Sequence, residues 1–352
     1  MKNTLLYSII TVFLLILTAS CQKEKSEAEP QEQTESVALI LNSGNWEAND
    51  ASITLMDCKT GLVTPGDLFS SANGIKLGDV ANDMILYGSK LYIAVSMSSV
   101  IFVCDTECNI IKAIQGGTPR HFCAHNGKVF ATMFEGHVAE IDTTTFAVRK
   151  VSTGPNPEGI ACAQGKLYVA DSFGYDPSGM YGTTVTVIDE ATLTPLKTLT
   201  VNNNPQSFHV CGHSLYLISW GNYSDIPARL QKIDTSTDEV TTIEGVTPTA
   251  MTIGEPGTAY IMSSTYDENW NQTFNYSVFD TSTDTIRGEL TPGSKIPGGS
   301  FISYDSPTKL IYIGTSDYVS EGDIYVLDTS GRIISKSGTG GMNPVAISFL
   351  KR

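Results

Sequence analysis

The residues best suited to chemistry in this chain are large aromatic rings set among amides and carboxylates. All three tryptophans lie in such segments, which read NSGNWEAND, SWGNYSDIP and TYDENWNQT. Rigid aromatic rings provide contact area at a low cost in conformational entropy, so these segments predict a noncovalent recognition surface. Its candidate members are Asn45, Trp46, Phe173, Tyr175, Trp220, Tyr223, Tyr266, Trp270 and Tyr318. The alternative is that the rings pack within their own loops, which weighs more for Tyr181 and Phe274 because they lie close to the following strand.

A second group of candidates follows a set of prolines that begin apolar runs. These residues are Arg120, Glu158, Gln206 and Thr249. We expect them to form the floor beneath the aromatic surface. Arg120 is the one basic residue among them, and it either holds a phosphate or carboxylate of a ligand or pairs with Glu158.

Catalytic and metal-binding patterns are absent from the sequence. There is no Cys-x-x-Cys-His, no His-Glu-x-x-His, no Gly-x-Ser-x-Gly and no phosphate-binding glycine loop. Among the five scattered histidines, His121 either lines a channel or is structural. Cys104 and Cys108 are close enough for a bridge, although buried thiols are the preferred interpretation. We therefore expect no enzyme activity, no cofactor and no metal site.

The elements that position these residues come from a repeat. Its marker is an aspartate that closes a short apolar run, and successive markers are 48, 37, 47, 45, 46 and 48 residues apart. These aspartates are Asp57, Asp105, Asp142, Asp189, Asp234, Asp280 and Asp328. An aspartate carboxylate accepts backbone N–H groups in the next turn, which suits a hairpin. Four strands in a period near 45 predict an all-β, seven-bladed β-propeller, with an open solenoid or a sandwich as the alternative.

The two ends of the repeat predict how the ring closes. The repeat starts with a second strand, at residues 37–41, and ends with a first strand, at residues 344–349. We expect the C-terminal strand to be the innermost strand of a blade whose other strands are N-terminal. The aromatic segments are insertions between second and third strands, so they should share one face of the ring and form a rim around one end of its channel.

The chain before the repeat has the features of an exported, lipid-anchored protein. Residues 1–20 have one lysine and a short apolar run, which predicts a secretory signal. The sequence LTASC, ending at Cys21, resembles a bacterial lipoprotein processing site, and this resemblance implies a lipidated Cys21; an ordinary signal peptide with Cys21 left free is the alternative. As in such lipoproteins, Gln rather than Asp at position 22 implies an outer-membrane location, and the charged tether resembles those of lipoproteins exposed at the cell surface. Residues 21–36 then form a tether and residues 37–352 the propeller. A net charge of −15 argues against a nucleic-acid partner.

Two resemblances concern the repeat itself. The strand GKLYVADS, followed by VTVIDEAT, resembles the YVTN-type propeller repeat of bacterial surface-layer-like proteins over residues 37–350. The segment LILNSGNWEANDASITLMDCKTG is similar to the seven-bladed surface lipoproteins that capture cobalamin above the outer-membrane cobalamin transporter. This similarity implies a corrinoid ligand on the loop-rich face and transfer to a TonB-dependent transporter. The alternative is a propeller that binds a glycan or a protein partner and has no small-molecule site.

Overall fold

The computed structural model describes residues 36–174, 179–266, 272–291 and 296–351. In these residues, 28 strands form seven antiparallel sheets of four strands each. The sheets are the blades of a β-propeller, as the repeat predicts. Each of the seven buried apolar clusters in these residues draws its side chains from two neighbouring blades. The cluster that contains Ile40 and Tyr312 joins the first blade to the seventh.

The strands follow one another along the chain, blade by blade. Blade 1 contains β1 (Ser36–Asn42), β2 (Ser52–Asp57) and β3 (Val63–Thr64). Blade 2 contains β4 (Ala81–Tyr87), β5 (Lys90–Val95), β6 (Val100–Cys104) and β7 (Ile110–Gln115). Blade 3 contains β8 (Pro119–His125), β9 (Lys128–Met133), β10 (His137–Asp142) and β11 (Val148–Ser152). Blade 4 contains β12 (Pro157–Ala163), β13 (Lys166–Asp171), β14 (Thr184–Asp189) and β15 (Thr194–Thr200).

The remaining blades have the same order. Blade 5 contains β16 (Pro205–Cys211), β17 (Ser214–Ser219), β18 (Arg229–Asp234) and β19 (Val240–Ile243). Blade 6 contains β20 (Ala250–Ile253), β21 (Thr258–Tyr266), β22 (Gln272–Asp280) and β23 (Thr285–Glu289). Blade 7 contains β24 (Gly299–Asp305), β25 (Leu310–Thr315), β26 (Glu321–Asp328) and β27 (Ile333–Met342). The last strand, β28 (Pro344–Lys351), completes blade 1.

The ring closes by pairing of the two ends of the repeat. Strand β28 is antiparallel to β1, with Ile347 opposite Ile40 and Phe349 opposite Ala38. The sheet order β28-β1-β2-β3 makes the C-terminal strand the innermost one of blade 1. This confirms the closure predicted from the sequence.

The turn aspartates fold the hairpins between third and fourth strands. Asp189 Oδ1 accepts a hydrogen bond of 2.8 Å from the Thr192 backbone N–H, and Asp234 Oδ1 accepts bonds from Ser236 and Thr237. These backbone hydrogen bonds hold the pKa of both carboxyls below the usual value. The predicted Asx-turn chemistry is therefore present.

Two local features differ from the repeat pattern. A short helix, α1 (Leu68–Asn73), links blade 1 to blade 2. Asp67 caps it by accepting the Phe69 N–H, and the buried Phe69 ring lies 5.0 Å from the Phe102 ring. In blade 6, strands β21 and β22 have nine residues each, so Tyr266 belongs to a strand rather than to a loop. In the described part of the chain, no helix has the length and apolar character needed to span a membrane.

Candidate functional site

A cavity of about 630 Å³ lies at the end of the channel where the innermost strands begin. Bulges in these strands decide which side chains enter it. The register shifts between Pro119 and Phe122 in β8, between Pro157 and Ile160 in β12, and between Pro205 and Ser207 in β16. A bulge bends its strand and changes the direction of a side chain. The residues at these bulges, which line the cavity, are Arg120, His121, Glu158 and Gln206.

The charged wall of the cavity is built on blades 3 and 4. Arg120 donates two hydrogen bonds of 2.9 Å to Glu158, from Nε to Oε2 and from Nη2 to Oε1. The Arg120 side chain is 17% exposed and that of Glu158 only 5%. This bidentate geometry pairs the guanidinium with Glu158, which was one of the two alternatives predicted for Arg120.

Neighbouring groups support this pair from two sides. The Arg120 guanidinium lies 5.3 Å from the centre of the Phe134 ring. His121 lies between two carboxylates, with Nδ1 3.6 Å from Asp83 and Nε2 3.7 Å from Glu158. His121 therefore lines the channel, which was one of its two predicted positions.

An aromatic rim above this wall comes from the loops of blades 4 and 5. The Trp220 indole donates a hydrogen bond of 3.1 Å to the Thr249 carbonyl and remains 36% exposed. Tyr181 and Tyr223 form an edge-to-face pair with ring centroids 5.8 Å apart. Tyr181, for which packing within its own loop was the weightier alternative, lines the cavity and contacts a ring of the neighbouring loop.

The loop that carries Trp220 is held by its own residues. Gly221 has a φ of +71°, and a Cβ there would lie 1.9 Å from the Ile226 carbonyl oxygen. Asn222 Oδ1 accepts backbone hydrogen bonds from Ser224 and Ile226. These hydrogen bonds hold the backbone of the loop that carries Trp220 and Tyr223.

The opposite wall of the cavity is apolar. It is formed by blades 6, 7 and 1, through Ala250, Met251, Phe301, Ile302 and Val345. Thr249 and Ser300 also line the cavity on this side. The cavity is therefore amphipathic, with charged and amide groups on one side and apolar groups on the other.

His209 is a lining residue that the sequence did not single out. Its Nε2 lies 3.4 Å from Ser207 Oγ, and burial lowers the pKa of the imidazole to about 4. The side chain is thus neutral at physiological pH. Its position, four residues after Pro205 on an inner strand, was the signal that would have identified it.

The other sequence candidates divide into three groups. Arg120, Glu158, Gln206, Trp220, Tyr223 and Thr249 meet in the cavity. Asn45, Trp46 and Tyr318 lie on the loops of blades 1 and 7 outside the cavity lining, with Trp46 69% and Tyr318 75% exposed. Phe173 is half-buried, while Tyr175, Trp270 and Cys21 lie outside the described residues, and only the strand position of Tyr266 is described.

The described side chains have no arrangement suited to metal binding. In residues 36–174, 179–266, 272–291 and 296–351, no group of three or more His, Cys, Asp or Glu side chains can hold a metal ion. The six cysteines of these ranges are free thiols, including the buried Cys104 and Cys108. The arrangement in the cavity offers aromatic faces, amides and one ion pair, which are groups for noncovalent binding.

Comparisons with known proteins establish the fold. No protein-family model matches the chain, and no curated protein sequence is significantly similar to it. Hydrazine synthase of Kuenenia stuttgartiensis has a similar structure, with a TM-score of 0.62 and 14% identity, covering 82% of this chain and 97% of that one. The apo form of AztD from Citrobacter koseri matches with a TM-score of 0.58 and 13% identity, covering 90% of this chain and 98% of AztD. BamB from Moraxella catarrhalis matches with a TM-score of 0.53 and 16% identity, covering 87% of this chain and 88% of BamB. At such low identities these similarities support the propeller fold alone.

Proposed function

We propose that the protein is a non-enzymatic binding protein that captures a corrinoid at the channel mouth. Cys21 would anchor it by lipid to the outer membrane at the cell surface, and a TonB-dependent outer-membrane transporter would receive the ligand. The observation that carries the proposal is the amphipathic cavity beneath the aromatic rim of Trp220, Tyr181 and Tyr223.

The size and shape of the site agree with this ligand class. Small-molecule sites usually have volumes of roughly 300–1,000 Å³, and this cavity has about 630 Å³. The rim lies above it with Tyr223 63% exposed, so a flat macrocycle can rest on the rings while one edge enters the cavity. Each aromatic contact contributes about 0.5–1.5 kcal/mol beyond the area it buries.

Amide side chains beside the charged wall suit the amides on the edge of a corrin ring. Gln206 Nε2 donates a hydrogen bond of 2.6 Å to Asn204 Oδ1, and both residues line the cavity together with Asn82. Amide side chains can both donate and accept hydrogen bonds, so they can pair with ligand amides of either orientation. The pairing of the Arg120 guanidinium with Glu158 is compatible with a ligand edge made of neutral amides.

The test is a titration of the unlipidated chain, from residue 22 onward, with cyanocobalamin. Calorimetry should give heat with one site per chain, and the visible absorbance of the corrinoid should stay with the protein through a desalting column. No heat and no retained colour would reject the corrinoid as ligand.

A second candidate function is binding of a protein partner on the same face. Trp46, Tyr318 and Val319 are 69%, 75% and 84% exposed, and they lie on the loops of blades 1 and 7. Asn343 joins these loops, since its Nδ2 donates to Asn45 Oδ1 at 3.0 Å and its Oδ1 accepts from Ser316 Oγ at 2.5 Å. Capture of an envelope protein that is lost in Trp46→Ala, with no corrinoid bound, would favour this function.

A further inference from the structure

Two cysteines lie on the innermost strands of neighbouring blades. Cys123 is in β8 of blade 3, and Cys162 is in β12 of blade 4. Cys123 pairs across its sheet with Phe130, and Cys162 pairs with Leu167. Opposite residues of an antiparallel pair point to the same side of the sheet. Each cysteine therefore shares the side of its partner.

The two partners identify the surface on which both thiols lie. Phe130 and Leu167 are fully buried members of one apolar cluster between blades 3 and 4, in which Cys123 is also buried and Cys162 is packed against the edge. The side chains of Cys123 and Cys162 thus face each other from two blades. Burial and a hydrogen bond with the Cys162 thiol raise the pKa of Cys123 well above its usual value.

The same two strands are fastened near the cavity. Arg120 and Glu158 lie three and four residues before the cysteines, on β8 and β12, and their bidentate pair joins the strands. Near the other end of β8, His125 Nδ1 lies 2.7 Å from Glu190 Oε1 of blade 4. The interface is held on both sides of the thiols, so a bond between them needs little movement of the blades.

We propose that Cys123 and Cys162 form a disulfide that cross-links the innermost strands of blades 3 and 4. The oxidant is a small-molecule disulfide or a disulfide-carrying thiol oxidoreductase. The half-buried Cys162 reacts first: its thiolate attacks the oxidant disulfide and releases one thiol. The Cys123 thiolate then attacks Cys162 Sγ and releases the second thiol. Two electrons pass to the oxidant, which leaves as two thiols, and the protein keeps one S–S bond.

The cross-link would act on the charged wall of the cavity by holding two of its strands together, and it would add no reactive group to the cavity. It would fix the spacing of the two strands that carry Arg120 and Glu158. A bond that closes the chain between residues 123 and 162 also restricts the unfolded state. The second step should quicken with rising pH, since only the thiolate of the buried Cys123 can attack.

The test uses the full chain, reduced with dithiothreitol, freed of reductant and exposed to oxidised glutathione. Free thiols are counted in denaturant, and unreduced peptides are mapped by mass spectrometry. We expect a loss of two thiols, one bridged peptide pair joining Cys123 to Cys162, and a melting temperature raised by several degrees. Cys162→Ser should abolish the bridge and the thermal shift, whereas Cys211→Ser should keep both, because Cys211 packs in another blade interface.

Three outcomes would overturn the proposal: no thiol loss in the folded chain, a bridge between Cys104 and Cys108 instead, or a stable glutathione adduct on Cys162 without a bridge. If Cys162→Ser does not fold, the peptide map of the unmodified chain still decides between these outcomes.

Discussion

The Tyr168 hydroxyl donates a hydrogen bond of 2.6 Å to Asp238 Oδ1 in the next blade. Tyr168 is the second-strand aromatic of blade 4, and Asp238 lies four residues after the turn aspartate Asp234. Asp238 has a φ of +62°, and its carboxylate also binds Lys166 and Lys197 at 2.6 and 2.8 Å. The contact joins a buried strand of one blade to the outer turn of its neighbour.

The contact recurs where the residue types allow it. Tyr216 of blade 5 donates a hydrogen bond of 2.7 Å to Asp284, again four residues after a turn aspartate. In blade 3 the aromatic is Phe130, which has no hydroxyl, and the corresponding residue of blade 4 is the apolar Leu193 in the same cluster. For the rings of blades 3, 4 and 5, the residue at this turn position therefore matches the ring that it meets, whereas Tyr92 of blade 2, which has a hydroxyl, clusters with the apolar Phe146.

The hydrogen bond from Tyr168 to Asp238 should contribute measurably to the free energy of unfolding. Tyr168→Phe removes the donor from a buried site, and we expect the free energy of unfolding to fall by about 1–2 kcal/mol. Urea unfolding measures it. The matched control is Tyr92→Phe, because the buried Tyr92 hydroxyl has no hydrogen-bond partner among the described residues. Equal losses in the two variants would contradict the role of Asp238.

The ring architecture was predictable from the sequence because each blade repeats the same local chemistry. A turn aspartate and a second-strand aromatic depend on near neighbours, so their spacing is visible in the chain. Asp238 was not recognised, since within TSTDE it resembles a solvent-facing turn residue and its partner lies in another blade. Helix α1 was also missed, because it belongs to a single link and does not recur.

The site was predictable in residue types but not in position. Trp46 and Trp220 lie in the same kind of loop among similar residues, yet only Trp220 lines the cavity. The difference comes from contacts between loops. Trp220 reaches the Thr249 carbonyl of the next blade, whereas the loop of Trp46 is joined through Asn45 to Asn343. Such contacts depend on the closed ring, which no single repeat shows.

The pair of Arg120 and Glu158 should contribute strongly to stability. Arg120→Gln leaves a carboxylate that is 5% exposed without its guanidinium, and we expect a loss of about 3 kcal/mol in urea unfolding. The same substitution at Arg332, whose side chain is 78% exposed beside Asp328, should cost less than about 1 kcal/mol.

A double variant provides a further control for this pair. Arg120→Met with Glu158→Leu removes both charges, so it should regain part of the loss. If Arg120→Gln lowers the free energy of unfolding no more than Arg332→Gln does, the buried pair stabilises the fold no more than an exposed pair.

Trp220 should be a main contact of the bound ligand. Trp220→Ala removes an exposed ring from the rim, and we expect the affinity for cyanocobalamin to weaken by about 2 kcal/mol, roughly thirtyfold, in calorimetry. Trp46→Ala removes an equally large and more exposed ring outside the cavity lining, so its affinity should not change. Equal affinity of Trp220→Ala and the unmodified chain would remove Trp220 from the site.

His209 should make the fold sensitive to acid. Burial lowers its pKa to about 4 in the folded chain, whereas an unfolded histidine has a pKa of about 6.5. Between these values the unfolded chain binds a proton at His209 that the folded chain does not bind. The free energy of unfolding therefore falls as the pH falls from about 6.5 towards 4, by up to about 3 kcal/mol from this group.

Urea unfolding at several pH values between 7 and 4.5 measures this dependence. His209→Gln removes the titrating group, so its stability should fall less with acid than that of the unmodified chain. The matched control is His213→Gln, which makes the same substitution at an exposed histidine. Since the turn carboxylates titrate in all three proteins, only the difference between the curves reports on His209. Parallel curves for the unmodified chain and His209→Gln would mean that the imidazole accepts its proton inside the channel at no cost to folding.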